Sequence, residues 1–143
     1  MKFAVSVLIL AFAIGAVSVN AAQKTNLCKT GNVRGFAEVQ GDPRLGGIGA
    51  LPSEFSRASG LFGIQYNCTG RGVWAKRVDE GVYDVWFPDN PAKVAIVSAV
   101  NQQGATAAVD RIGDATFRIS IRGPVVDNNV LIRRELPFYI IVT

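Results

Sequence analysis

Histidine is absent from this sequence, and Met1 is its only methionine. A serine or cysteine nucleophile activated by histidine is therefore excluded, and a zinc site loses its usual imidazole ligands. Cysteine is scarce too, with only Cys28 and Cys68. An exported chain with a single pair of cysteines usually joins them, which predicts one disulfide and no free thiol. Closing that loop should remove roughly 4 kcal/mol of unfolded-state entropy.

Strong charge of either sign is lacking as well. The 15 basic and 11 acidic residues give a net charge of +4, and the basic residues are scattered along the chain. A nucleic-acid partner is therefore not expected, because it would call for a basic run or patch. The surviving catalytic route is a pair of carboxylates, yet the glutamates at 38, 54, 80 and 135 lie far apart and no pair is singled out. The sequence thus indicates no catalytic residue, no cofactor and no metal, and leans away from an enzyme.

The longest apolar run lies at the N-terminus. It extends over residues 3–17 without a charge, follows one lysine, and leads to Val19-Asn20-Ala21. This layout is typical of a cleaved secretory signal, and the run is shorter than the ~20 residues of a membrane-spanning helix. We predict a signal peptide at 1–21 and a single secreted, extracellular domain at 22–143 of about 122 residues, with a net charge of about +3 and no membrane span after cleavage.

Beyond residue 33, apolar and polar residues alternate in short runs between glycine, proline, aspartate and asparagine. Such runs predict antiparallel strands. Eight are expected, at 33–40, 61–68, 73–78, 82–87, 93–100, 105–111, 115–122 and 136–142. No convincing helix is found, so the predicted fold class is all-β, an antiparallel β-sandwich or jelly-roll-like fold. The stretch 41–59 has no sustained period and is expected to be a long loop or a bent, irregular crossing.

The hairpin around Asp79-Glu80-Gly81 allows its register to be predicted. A three-residue loop that ends in glycine commonly carries a glycine bulge, which would place Val78 opposite Val82. Because Val85 and Phe87 have the character of core residues, the alternate positions of both strands should form the outer face of the sheet.

Both tryptophans fall on this outer face. Counting two residues outward along each strand puts Lys76 opposite Asp84, and two more put Trp74 opposite Trp86. The two rings would form a flat platform that stacks on sugar rings or closes an oligomer interface. The alternative, which we favour, is that a loop or the second sheet covers both rings, or that the register is off by one. Lys76 and Asp84 would then be only a cross-strand ion pair worth a few tenths of a kcal/mol.

Three arginines on neighbouring predicted strands, Arg111, Arg118 and Arg122, could form a basic stripe. Such a stripe would bind an anionic polysaccharide or a lipid surface. A solvated strand face has the same pattern, and it is favoured because positive charge alone does not define a partner.

Oxygen-rich turns occur at Asp89-Asn90 and Asp127-Asn128-Asn129. Calcium sites of exported β-domains use such groups, but neither segment has the alternating pattern of a dedicated calcium loop. Turn formation is the favoured interpretation.

Residues 61–143 also carry a spaced series of motifs, among them Gly-Val-Tyr-x-Val-x-Phe at 81–87 and the terminal Phe-Tyr-Ile-Ile-Val at 138–142. In these the chain resembles β-rich modules of uncharacterised secreted bacterial proteins, similar to those that follow collagen-like or phage-tail-like stalks. The resemblance implies a non-enzymatic and trimeric β-fold, although this chain has no Gly-X-Y repeat. It also implies a bacterial source, for which the glycosylation pattern at Asn67-Cys68-Thr69 is a coincidence; a eukaryotic source would make it an acceptor.

The sequence thus predicts a secreted binding, adhesion or envelope-associated structural module whose ligand is a polysaccharide or another cell-surface component. One alternative is a carboxylate-dependent carbohydrate-active enzyme, which needs two acids converging in a groove beside Trp74 or Trp86. Another is a small effector or inhibitor that blocks its partner through the 41–59 loop.

Overall fold

The structure is a computed structural model that describes residues 28–41, 47–57, 60–100, 104–124 and 131–143. The predicted signal peptide and the turn at 127–129 lie outside the described residues. No helix in the described ranges is long and apolar enough to span a membrane.

Alternating apolar and polar residues form strands along about half of the described chain, which contains nine strands, a helical segment at 28–30 that was not predicted, and a short 3-10 turn at Ile48–Ala50. The strands are β1 (Gly35–Val39), β2 (Phe62–Asn67), β3 (Trp74–Asp79), β4 (Val82–Trp86), β5 (Ala95–Ala99), β6 (Thr106–Gly113), β7 (Thr116–Pro124), β8 (Leu131–Arg133) and β9 (Phe138–Val142). Eight of them coincide with the predicted runs. Only β8, three residues long, was not predicted.

The strands form two antiparallel sheets. One has the order β2-β1-β9-β5, and the other has the order β3-β4-β7-β6 with β8 added beside β7. Their facing side chains make one core, so the predicted all-β sandwich is confirmed. We refer to them as the four-stranded and the five-stranded sheet.

The core is built from alternate residues of the central strands. On β7 and β9 the inward positions are fully buried, namely Phe117, Ile119, Ile121, Phe138, Ile140 and Val142. Tyr83 of β4 packs on Phe138 across the two sheets, with ring centroids 5.4 Å apart. Burying each such side chain stabilises the fold by about 1.5–3 kcal/mol before entropy is counted, so these layers hold the sheets face to face.

Cys28 and Cys68 form the predicted disulfide, with their Cα atoms 5.4 Å apart. The bond ties the segment before β1 to the end of β2. The backbone N–H of Cys68 also donates to the carbonyl oxygen of Arg34 at 2.9 Å. The disulfide thus fixes the end of the four-stranded sheet at which β1 begins and β2 ends.

The predicted register of the β3–β4 hairpin is correct except beside the turn. Trp74 pairs with Trp86 and Lys76 with Asp84, as predicted, but Asp79 and not Val78 lies opposite Val82. Only Glu80 and Gly81 form the turn, and the extra residue is accommodated as a bulge in β3, which leaves Val78 45% exposed.

The described part of the 41–59 loop packs against the domain. Ile48 and Leu51 are buried in the core. Ser56 then forms an isolated bridge with Ala75 on the outer edge of β3, and its N–H donates to the carbonyl oxygen of Ala75 at 2.9 Å. This pairing satisfies backbone groups that an edge strand would otherwise expose, and it brings the residues around Ser56 beside both tryptophans.

Candidate binding face

Trp74 and Trp86 lie side by side on the outer face of the five-stranded sheet, which we call the tryptophan face. Their ring centroids are 6.2 Å apart, and both rings are half-buried. The ring planes are inclined by 41°, so the pair forms an angled surface and not the flat platform that the sequence suggested.

The loop adds two side chains to this face. The ring of Phe55 lies 5.9 Å from that of Trp86, and the Nζ atom of Lys76 lies 4.8 Å from the centre of the Phe55 ring. The guanidinium of Arg57 lies 5.6 Å from the centre of the Trp74 ring. The loop therefore covers the tryptophans in part. Neither Phe55 nor Arg57 was predicted, because the loop carries no periodic signal.

Asp84 is the buried charge at the centre of the tryptophan face. Its side chain is 2% exposed, and its two oxygens accept hydrogen bonds from Arg118 at 2.8 and 3.0 Å. Lys76, on the other side, lies 3.5 Å from the same carboxylate. The hydrogen bond with Asp84 raises the pKa of Arg118. Two cations thus share one carboxylate directly beside the aromatic rings.

The three arginines Arg111, Arg118 and Arg122 do not form the basic stripe, which was the less favoured interpretation of the sequence. A bulge between Arg111 and Gly113 shifts the register of β6 by one residue, so that Asp110 and not Arg111 lies opposite Arg118. Arg111 therefore falls in register with the core-facing Phe117, and its Nη2 atom lies 3.4 Å from a carboxylate oxygen of Asp114. Arg118 is neutralised by Asp84 as described above.

Arg122 remains on the outer side of β7. It lines a shallow groove of about 400 Å³ together with Asp110, Ser120 and Thr106. Its neighbour on β8 is Arg133, which forms an ion pair with Asp79. The three arginines thus lie in separate surroundings and do not form one basic surface.

A cleft of about 410 Å³ adjoins the tryptophan face at Trp86. Trp86, Asn90 and Pro91 line it together with Asp89, Arg111, Asp114 and Ala115. The volume falls in the ~300–1,000 Å³ range of small-molecule sites. Two of its lining residues, Asp89 and Ala115, have positive φ angles of 57° and 49° without being glycine. Such strained backbone often accompanies binding sites.

Two buried amides hold the turn on which the cleft rests. Asn67 donates to the carbonyl oxygen of Pro88 at 2.9 Å, and Asn90 donates to the side-chain oxygen of Asn67 at 2.8 Å. The side-chain oxygen of Asn90 also accepts from the N–H of Ala92 at 2.9 Å. Asn90 therefore acts as a turn former, as favoured from the sequence, while Asp89 pairs with Arg71. The side-chain amide of Asn67 is thus buried and hydrogen-bonded in the folded domain.

Among the glutamates considered for catalysis, Glu135 is engaged by neighbouring side chains. Arg77 donates to one of its oxygens at 2.6 and 2.8 Å, and the hydroxyl of Tyr83 donates to the other. Burial, and then the hydrogen bond to Glu135, raise the pKa of Tyr83 well above its ordinary value. Glu135 is therefore held by side chains of two neighbouring strands, β3 and β4.

An aromatic row that the sequence analysis missed crosses the outer face of the four-stranded sheet. Phe36 stacks on Tyr66 and on Tyr139, with centroids 6.1 and 5.9 Å apart. Ile141 and Ile96, paired on β9 and β5, extend the row, and Ile96 is 63% exposed. The sequence did contain a signal for this row, because Phe36 and Tyr139 occupy outward strand positions at which a solvated face would carry polar residues.

In the part of the chain that the structure describes, no cluster of three or more histidine, cysteine, aspartate or glutamate side chains is placed to hold a metal ion. The resemblance of residues 61–143 to secreted bacterial β-modules stays a prediction. Comparisons with protein families, with curated proteins and with solved structures give no match for this chain.

Proposed function

We propose that the protein is a secreted, non-enzymatic module that binds glycans through the tryptophan face. The observation that carries this proposal is the partial exposure of Trp74 and Trp86 side by side, next to a cleft that Trp86 itself lines. Aromatic rings offer apolar faces to sugar rings, and the charged groups of the cleft offer hydrogen bonds to hydroxyl groups. The angle between the rings suits a chain whose successive sugar rings are turned relative to one another.

Intrinsic tryptophan fluorescence tests this proposal, since both tryptophans of the protein belong to the face. The purified protein is titrated with soluble neutral and acidic polysaccharides, and acrylamide quenching is measured with and without each one. A ligand should shift the emission and protect it from the quencher. Replacement of Trp86 by alanine should weaken binding at least about tenfold, equivalent to about 1.4 kcal/mol.

Tyr139→Ala provides the matched control, because Tyr139 is an exposed aromatic residue on the opposite sheet. It should bind like the unsubstituted protein. Loss of binding in Tyr139→Ala with normal binding in Trp86→Ala would move the site to the four-stranded sheet. If no polysaccharide changes the emission or the quenching, the glycan-binding proposal is wrong.

A second candidate function is a carboxylate-dependent glycan hydrolase, because Asp89 and Asp114 line the same cleft as Trp86. Against it, each acid is paired with an arginine, and the side chains of both acids are largely exposed. A general acid of a glycosidase needs a desolvated setting that keeps its proton. Release of reducing ends by the protein, abolished in Asp89→Asn or Asp114→Asn, would favour the enzyme.

A further inference from the structure

Arg57 is fixed in place beside the tryptophans. Its guanidinium lies over the Trp74 ring, and its side chain passes close to the backbone of Gly72. A Cβ atom at position 72 would lie 3.0 Å from the Nη1 atom of Arg57 and 3.4 Å from its Cδ atom. The lack of a side chain at Gly72 therefore leaves the space in which Arg57 rests. The backbone pairing of Ser56 with Ala75 anchors the preceding residue.

Within the described residues, the charge of Arg57 contacts the Trp74 ring but is not paired with an acid. Arg57 makes no ion pair with any residue in the described ranges, although it is exposed. Lys76 adds to the positive character of the same face, because it shares Asp84 with the closer Arg118. A cation held against an indole ring, with no carboxylate partner among the residues that the structure describes, is placed to bind an anionic group of a ligand.

We propose that Arg57 binds the negatively charged substituent of an acidic sugar whose ring stacks on the tryptophan face. The inference rests on the proposed glycan binding and names its ligand class, a polysaccharide that carries carboxylate or sulfate groups. A guanidinium lying on an aromatic ring keeps its N–H groups at the periphery, where they bind two oxygens of one anionic group. Lysine cannot reproduce this paired geometry.

Binding to three probes, polygalacturonate, dextran sulfate and neutral dextran, tests the inference by isothermal calorimetry. The unsubstituted protein should bind an acidic probe at least about tenfold more tightly than dextran, and the affinity should fall with added salt. Arg57→Gln should remove most of this preference, and Arg57→Lys should restore only part of it.

Arg34→Gln is the matched control. It removes the same unit of charge from an exposed arginine before β1 that forms its hydrogen bonds to Val142, Cys68 and Asn90 through its own backbone atoms. Its affinities should stay within about twofold of the unsubstituted protein, while thermal melting confirms that both variants fold. Polygalacturonate and dextran sulfate distinguish a carboxylate ligand from a sulfate ligand.

If Arg57→Gln and Arg34→Gln weaken binding of the acidic probes equally, the preference for these probes is an effect of net charge, and the inference is overturned. Equal affinity for dextran and the acidic probes would overturn it too, while glycan binding itself would stand. If the protein binds none of the polysaccharides in either experiment, both proposals fail.

Discussion

Asp84 shows how one side chain links the stability of the sheet to the chemistry of its surface. A buried carboxylate is costly unless its charge is paired and its oxygens are hydrogen-bonded. Here Arg118 satisfies both oxygens and Lys76 approaches from β3. The same two cations are held in place beside the tryptophans, so Asp84 orients the polar groups that a ligand would meet.

Asp84→Asn should therefore destabilise the fold by about 2 kcal/mol, because hydrogen bonds to a charged group contribute about 1.5–3 kcal/mol each and the substitution removes the charge. Urea unfolding followed by circular dichroism measures the change. The control is Asp110→Asn, which removes an exposed carboxylate from the other side of Arg118. It should stay within about 0.5 kcal/mol of the unsubstituted protein. Equal unfolding midpoints for the two variants would contradict the importance given to Asp84.

At the scale of the element, the β3–β4 hairpin depends on Gly81. Its φ angle is +60°, and its carbonyl oxygen accepts from the N–H of Ile121 at 2.8 Å. A Cβ atom at this position would lie 2.8 Å from the carbonyl oxygen of Ile121 and 2.8 Å from the backbone nitrogen of Arg134. The hairpin turn thus packs so closely against β7 and the segment after β8 that only glycine fits.

Gly81→Ala should lower the free energy of unfolding by about 3 kcal/mol or more, since it adds a backbone clash to the strain of positive φ. Gly70→Ala is the matched control, because Gly70 has a φ of +80° but open space around its Cβ position. It should cost only about 1–2 kcal/mol. Chemical unfolding of both variants gives the comparison. If Gly81→Ala lowers the free energy of unfolding no more than Gly70→Ala does, β7 can shift to accommodate the added methyl group.

The same hairpin shows which features of an element can be predicted from sequence. Alternation and turn chemistry were enough to pair Trp74 with Trp86, because period two and a glycine turn are local properties. They did not locate the bulges at Val78 and before Gly113, which depend on how each turn packs. The position of Arg57 could not be predicted from the sequence for a different reason. It follows from the pairing of a loop with the distant edge of β3, for which the loop carries no pattern.

For the whole molecule, the two outer faces of the sandwich differ in character. The five-stranded sheet carries aromatic rings among charged groups, whereas the four-stranded sheet carries an apolar aromatic row with exposed isoleucine at one end. The disulfide lies at the end of the four-stranded sheet, joining the chain before β1 to Cys68 after β2. Neither cysteine lines the cleft, although Cys68 directly follows Asn67, whose side chain holds the turn beside it. The tryptophan rings lie on the other sheet, so we expect loss of the disulfide to lower stability without changing the tryptophan face.

Replacing Cys28 and Cys68 together by serine should lower the free energy of unfolding by roughly 4 kcal/mol, because the sequence separation of 40 residues leaves a large loop unconstrained in the unfolded chain. Urea unfolding of the double variant, and of the unsubstituted protein with and without reductant, measures this loss. Under conditions in which the variant is still folded, its tryptophan emission and its glycan affinity should match those of the oxidised protein, since the bond acts mainly on the unfolded state. A folded variant with altered emission would instead show that the disulfide shapes the native sheet as far as the tryptophan face, and a loss below about 1 kcal/mol would rule out the entropic restraint.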